Sequence, residues 1–261
     1  MAMQLSFYKY QGTGNYFVFI DNRSLFFPKK DTKLIAQLCD RKFGIGADGL
    51  ILLEKHPSLD FKMMYYNADG QQSSMCGNGG RCIVHFAKHL GLITSEATFE
   101  AIDGEHSATI NEESVVSLKM SDISEIKTTE NFSFLNSGSP HHVELRNDLK
   151  TISMQEEGAS LRYGLYGKEG ANINFVEALE NNIFAVRTYE RGVENETLSC
   201  GTGVTAVAIA MHNKGLAACN SVTLKTKGGT LKVTFEKNGD SYKNIYLIGK
   251  ATLVFKGEWI C

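Results

Sequence analysis

Five short runs along the chain are rich in aromatic and β-branched residues and bounded by turn formers: NYFVFID at 15–21, LILLE at 50–54, FKMMYY at 61–66, IFAVRTY at 183–189 and ATLVFKG at 251–257. Their length and flanks predict strands. DTKLIAQLCDRK at 31–42 instead brings Leu34, Ile35 and Leu38 to one side of a helix, with Asp31 or Thr32 as N-cap and Gly44 just past the end. Two further helical segments have another character. VTAVAIAM at 204–211 has no polar face apart from Thr205, so protein should surround it on all sides. RCIVHFAKHL at 81–90 is more amphipathic, yet it carries Ile83, Val84, Phe86, Ala87 and Leu90.

Each of these two helices follows the same short pattern, MCGNGGRC at 75–82 and SCGTGVTA at 199–206. Cys76 and Cys200 stand 124 positions apart, and that offset also aligns Gly79 with Gly203, Gly91-Leu92 with Gly215-Leu216, Gly104 with Gly228, and Tyr65 with Tyr189. Among 25 glycines a single coincidence means little, but several landmarks in one order at one offset argue for duplication. An offset near half of 261 residues implies two similar domains rather than a solenoid of short units. The expected fold is α/β in the broad sense (α+β). Two pseudo-symmetric domains each wrap a curved, mostly antiparallel sheet or barrel around a central hydrophobic helix, with the active site in the cleft between them. The N-terminal domain should span 1–118, with the C-terminal strand at 250–261 returning to it, and the C-terminal domain 119–249.

Charge and cysteine usage narrow the function classes. A formal net charge of −2 gives no electrostatic footprint for nucleic acid or an anionic membrane. No apolar run approaches the roughly 20 residues that a membrane span needs, and the N-terminal residues lack the basic and apolar regions of a signal peptide. A soluble, cytoplasmic protein is expected, with neither nucleic acid nor membrane as partner. Six cysteines (Cys39, Cys76, Cys82, Cys200, Cys219, Cys261) invite a disulfide reading. That reading suits short secreted chains, so reduced thiols are the better default. Cys39, Cys219 and Cys261 are read as structural.

Glycines around Cys76 and Cys200 let the backbone turn tightly at a helix start, where the first N–H groups lack internal partners and attract an anion. A carboxylate is the natural guest, and the same field favours a thiolate over a thiol. Two such cysteines on opposite sides of one α-carbon would perform two-base chemistry. One thiolate removes the α-proton, the opposite thiol delivers a proton to the other face, and configuration inverts without a cofactor. Such a pair should also oxidise in air to a Cys76–Cys200 disulfide and lose activity until it is reduced.

The motifs NADG at 67–70 with MCGNGGRC, YERGVENETLSCGTG at 189–203, GTGN at 12–15, FGIGADGLI at 43–51 and GSPHHV at 138–143 together resemble the diaminopimelate epimerase family, in the right order along nearly the whole chain. The resemblance implies interconversion of LL- and meso-2,6-diaminopimelate without pyridoxal phosphate, in lysine and peptidoglycan synthesis, by a cytosolic homodimer. It matches Cys76 and Cys200 to the acid/base pair and His141 and Glu190 to polar residues supporting them. Gly77, Asn78, Gly201 and Thr202 match the loops that grip the reacting carboxylate. Asn15, Asn67, Asn172, Glu190 and Arg191 match contacts to the substrate's amino and carboxylate groups. No cofactor and no metal are implied.

The chain departs from the family pattern at Ser139, where an asparagine is frequent, at Tyr16 for an aspartate, and at Gly49 for a glutamine. Cys82, His85 and His89 recur on one helix face and suggest a metal site, but without a paired C-x-x-C the metal reading is the weaker one. A racemase of another amino acid, such as proline, and a non-catalytic amino-acid-binding module are the competing functions. The adjacent Glu190 and Arg191 favour a longer substrate with charges of both signs.

Overall fold

The structure, a computed structural model, describes residues 4–260 and divides into two compact units. One contains the residues up to Leu118 with those from Gly249 onward, and the other is Lys119–Ile248.

In the first unit β1 (Gln4–Gly12), β2 (Asn15–Asp21), β3 (Gly49–Glu54), β4 (Phe61–Asn67), β5 (Glu96–Ala101), β6 (Gly104–Ile110) and β7 (Val115–Lys119) pair in chain order. The β2–β3 and β4–β5 pairs are parallel and the rest antiparallel. A C-terminal strand, Thr252–Ile260, joins the far side of β1 antiparallel. Helix α1 (Thr32–Cys39) contributes Ile35 and Leu38 to a core with Val18, Ile20, Leu50 and Leu52. Helix α2 (Gly77–His89) lies against the opposite sheet face, where Phe86 meets Tyr10 and Phe19. Covered on both faces, β2 and β3 read as continuous apolar runs rather than alternating ones.

The second unit repeats the pairing pattern. Its strands are β8 (Ile126–Thr128), β9 (Phe132–Asn136), β10 (Pro140–Leu145), β11 (Asn172–Glu180), β12 (Ile183–Glu190), β13 (Asn195–Thr197), β14 (Ser221–Thr226), β15 (Gly229–Asn238) and β16 (Ser241–Lys250). From β9 to β16, leaving out the short β13, the order antiparallel, parallel, antiparallel, parallel, antiparallel, antiparallel recurs. Helix α3 (Gly201–Asn213) is buried from Gly203 to Met211, and Thr205 satisfies its hydroxyl on the Gly201 carbonyl at 3.0 Å. Two π-helical turns, Met154–Gly158 and Leu161–Leu165, were not foreseen. Met154 and Leu161 from these turns pack with Ile173, Phe175 and Tyr189.

Three expectations need correction. Helix α1 stops at Cys39, three residues before Lys42, because the Asp40 carboxylate accepts from the N–H groups of Lys42 and Phe43 at 2.7 Å and turns the chain. Gly104 corresponds to Gly229 rather than Gly228: each opens the second strand of a hairpin with a positive φ, +119° and +140°. One extra residue between Gly215 and β14 shifts the repeat there. Cys219 is exposed, its thiol donating to the Ser221 carbonyl at 3.3 Å, so it packs no core. Cys261 lies outside the described residues.

Candidate active site

Cys76 and Cys200 occupy the same position in their units: each is the N-cap residue of a buried helix, in extended conformation. Their carbonyls accept the first intrahelical bonds, from Gly80 at 2.7 Å and from Val204 at 2.9 Å. Neither sulfur caps its own helix, so the first-turn N–H groups at 77–79 and 201–203 have no partner within the helix. Cys76 is half-buried and Cys200 is 8% exposed.

Around Cys76 a polar chain runs across the first unit. The Asn78 amide donates to Asn15 Oδ1 at 2.6 Å, and Asn15 donates to Asp48 Oδ2 at 3.3 Å. Asp48 also accepts from the Tyr16 N–H at 2.8 Å and from Arg41 at 2.6 Å. On its other side, Asn78 Oδ1 accepts from Arg81 at 2.9 Å, which fixes the amide's orientation. Arg81 further donates to Thr13 Oγ1 at 2.6 Å and to the Gly77 carbonyl at 3.1 Å. Thr13 sits in the β1–β2 turn at φ +53°, an uncommon conformation for a β-branched residue, and this bond helps to hold it. Asn67 closes β4 with an exposed side chain, directly across from Gly49.

Gly49 admits no side chain. A Cβ there would lie 2.4 Å from the Tyr66 carbonyl oxygen and 2.5 Å from the Tyr65 ring. The Tyr65 ring fills that space and reaches across to Phe17, with centroids 6.0 Å apart. The departure from glutamine at 49 is thus coupled to an aromatic residue on the neighbouring strand.

In the second unit, Thr202 Oγ1 lies 3.4 Å from Cys200 Sγ and 2.9 Å from His141 Nε2. The Asn174 amide nitrogen donates to the His142 carbonyl at 2.8 Å and meets His141 Nδ1 at 3.1 Å, while its oxygen accepts from Thr188. Both ring nitrogens of His141 face amide nitrogens, Nδ1 that of Asn174 and Nε2 that of Asn172 at 3.4 Å, and Nε2 also faces the Thr202 hydroxyl. The Thr202 hydroxyl thus bridges the imidazole and the Cys200 sulfur. Burial, with Arg191 as a smaller cause, pushes the His141 pKa down to about 3, so the ring is neutral. His141 thus connects to Cys200 by way of Thr202.

Asn172 accepts from the Arg191 N–H at 2.8 Å and donates to Ser139 Oγ at 3.0 Å, which places Ser139 beside the asparagine. Arg191 donates to the Glu169 carbonyl at 2.9 Å, and the neighbouring Glu190 ends β12 half-buried. Gly203 has a packing reason as well, since a Cβ there would come within 2.6 Å of Asn174 Oδ1.

Arg81, Thr13, Asp48 and Asn174 escaped the sequence reading. For Arg81 the available signal was a lone cation early in an otherwise core-facing helix. The suspected metal ligands do not converge. Burial pushes the Cys82 thiol up to about 12, His85 lies between Tyr10 and Ser114 at 3.1 Å each, and the His89 ring packs on Tyr8. No cluster of His, Cys, Asp or Glu among the described residues is arranged to hold a metal ion.

The family model of diaminopimelate epimerase matches residues 7–124 and 133–254. The chain belongs to the diaminopimelate epimerase family. It is 55% identical to the diaminopimelate epimerase of Flavobacterium psychrophilum over 253 residues, covering 97% of this chain and 99% of that protein. It is 40% identical to the one of Chlorobaculum tepidum, over 94% and 98%. Among solved structures, a Bacillus anthracis phenazine biosynthesis protein of the PhzF family superposes with a TM-score of 0.79 at 12% identity, covering 99% and 100% of the two chains. A hydroxyproline epimerase from Agrobacterium vitis gives 0.70 at 14% identity, covering 98% and 92%. Those two likenesses establish the fold alone. The diaminopimelate epimerase family and this fold agree with the two sheet-wrapped helices seen here. No helix among the described residues is long and apolar enough to cross a membrane.

Proposed function

We propose that this member of the diaminopimelate epimerase family interconverts LL- and meso-2,6-diaminopimelate with Cys76 and Cys200 as its two proton-transfer groups. As an isomerase of this family the chain belongs to lysine biosynthesis. The observation that carries the assignment is the duplicated N-cap position: each cysteine stands at the head of a buried helix, where the positive end of the helix dipole favours an anion.

In the proposed step the reacting carboxylate is held by backbone N–H groups at Gly77-Asn78 and Gly201-Thr202. One thiolate takes the α-proton and becomes a thiol. The electron pair left on the α-carbon delocalises into the carboxylate, where the helix ends stabilise the added charge. The other cysteine's S–H proton then passes to the opposite face, leaving that sulfur as the thiolate. The reverse reaction exchanges the roles. Thr202, oriented by His141, offers its hydroxyl to Cys200, whereas Asn15 and Asn78 shape the side near Cys76. Glu190, Arg191, Asn172 and Asn67 bind the unreactive end of the substrate, which sets orientation and specificity.

The test is NMR of reduced enzyme with LL-diaminopimelate in D2O and no added cofactor. Solvent deuterium should enter one α-position as the meso isomer forms. Cys76→Ser and Cys200→Ser should each slow epimerisation by about a hundredfold or more. Retention of full turnover by either variant would discard the two-thiol assignment. Exchange with proline but not with diaminopimelate would discard the substrate.

A further inference from the structure

Arg162 is a buried cation of the second unit, 8% exposed in the π-helical turn Leu161–Leu165. Its guanidinium faces two ways. Nε and Nη2 meet Glu194 Oε1 at 3.2 and 3.1 Å, and Nη1 donates to the Gly167 carbonyl at 2.9 Å. Glu194 lies in the β12–β13 turn, where the same Oε1 also accepts from the Gly192 N–H at 3.0 Å. The Glu194 N–H in turn donates to the Glu190 carbonyl at 2.8 Å. Carboxylate and backbone together close the turn that carries Arg191. Glu194 does this at φ +54°, a left-handed conformation that disfavours any residue with a Cβ.

The other arm of Arg162 reaches the segment on which Arg191 rests. Gly170 passes so close that a Cβ there would stand 2.2 Å from Arg162 Nη1. Its neighbour Glu169 supplies the carbonyl that accepts from Arg191 Nη1 at 2.9 Å. Arg162 thus joins two supports of the exposed Arg191, the turn that carries its backbone and the 167–170 segment that receives its guanidinium.

We propose that Arg162, through its ion pair with Glu194, is a positioning residue for Arg191 and sets the affinity for the substrate's unreactive end. The inference rests on the assignment of Arg191 to that end. An exposed pair would contribute little, and a buried one adds little net stability while restricting geometry. Geometry is what this turn needs. Gly192, at φ +90°, leaves its backbone several shapes, and the pair selects one. Asn172 Oδ1 accepts from the Arg191 N–H at 2.8 Å and fixes the base of the turn. Arg162 fixes the residues beyond it. Tyr163, its ring 4.6 Å from the Arg162 guanidinium, interacts with the same carboxylate and lines the pair.

The experiment measures kcat and KM for LL-diaminopimelate, together with thermal unfolding, in the reduced full-length enzyme and its variants. Arg162→Met should raise KM about tenfold or more while kcat falls less than about threefold, the pattern of lost binding common to ground and transition states. Arg162→Lys keeps the charge but cannot grip Glu194 and Gly167 at once, so its KM should fall between. Glu194→Gly removes the carboxylate yet relieves the left-handed backbone. It should raise KM by a similar factor without a matching loss of thermal stability. If position 194 served the backbone alone, this variant would bind as well as the wild type. Arg162→Met combined with Glu194→Gly should be no worse than Arg162→Met, because both break one pair. A KM within about twofold of the wild type in Arg162→Met or Glu194→Gly overturns the proposal, as do multiplied effects in the double variant. If Arg162→Met does not fold, Glu194→Gly and Arg162→Lys still decide. Arg191→Met separates the two assignments. A raised KM there, beside normal values in the Arg162 and Glu194 variants, discards only the anchor. An unchanged KM in Arg191→Met discards the substrate-binding role of Arg191, and the anchor with it.

Discussion

His141 is fully buried between Asn174 and Thr202, and its pKa is pushed down to about 3, chiefly by loss of water and secondarily by Arg191. The unfolded chain binds a proton there near pH 6.5. Above that pH both states are neutral and the histidine contributes no pH dependence. As pH falls below about 6.5 the unfolded state takes up a proton that the native ring refuses, and stability is lost until about pH 3. The slope is about 1.4 kcal/mol per pH unit, or about 2 kcal/mol between pH 6.5 and 5 from His141 alone. His142 is shifted the same way by burial, partly offset by Glu144. Urea unfolding should therefore show a clear loss of stability from pH 7.5 to 5, and His141→Asn should shrink that loss by about 2 kcal/mol. An undiminished loss in the variant would mean that the ring is not held neutral.

At the scale of elements, β2, β3 and β4 bring candidate site residues of the first unit together through register. Phe17, Gly49 and Asn67 stand side by side, and Asn15 and Tyr65 flank that row. The strands approach so closely at Gly49 that any Cβ meets both a backbone oxygen and the Tyr65 ring. Gly49→Ala should therefore destabilise by about 1–3 kcal/mol. Tyr65→Val in the same chain should recover only part of that, because the Tyr66 carbonyl stays in place. Full additivity of the two substitutions in a double-mutant cycle would contradict the coupling. Much of this half was legible in the sequence. The strands of the row, the Asp31 cap and both C-G-x-G helix starts follow from local composition, periodicity and capping chemistry. The closed contact at Gly49 was not legible, because it depends on which residue of β4 lies opposite. Nor was the His141–Asn174–Thr202 chain, which joins β10, β11 and α3 across gaps of more than thirty residues. Arg81 escaped for a third reason: a charged residue early in a helix ordinarily faces water, and only the surrounding sheet shows that this one does not.

For the whole molecule, the two units repeat one pairing pattern but are not assembled alike. Lys119–Ile248 is continuous in sequence, whereas the other unit borrows its last strand from the end of the chain. There Thr252–Ile260 pairs with β1 from Gln4↔Ile260 to Gln11↔Thr252, with one register shift at Lys9/Tyr10. Gly257 lies so close to Phe7 that a Cβ would come within 2.6 Å of the ring. Trp259, the chain's single tryptophan, packs against the core formed by Leu5, Phe7 and Val18. Removing residues 252–261 would strip β1 of one of its two hydrogen-bonded neighbours and bare Leu5 and Phe7. The truncated protein should thus lose structure in its N-terminal portion first. Limited proteolysis should cut within residues 4–54 at a protease level that leaves fragments from 119–248 intact. In the full-length protein Trp259 fluorescence reports on the first unit although it lies at the end of the chain. Its urea midpoint should fall with Phe7→Ala, a truncation expected to cost about 3–5 kcal/mol at a buried site. A truncated protein with both portions equally protease-resistant would show that β1 keeps its place without the returning strand.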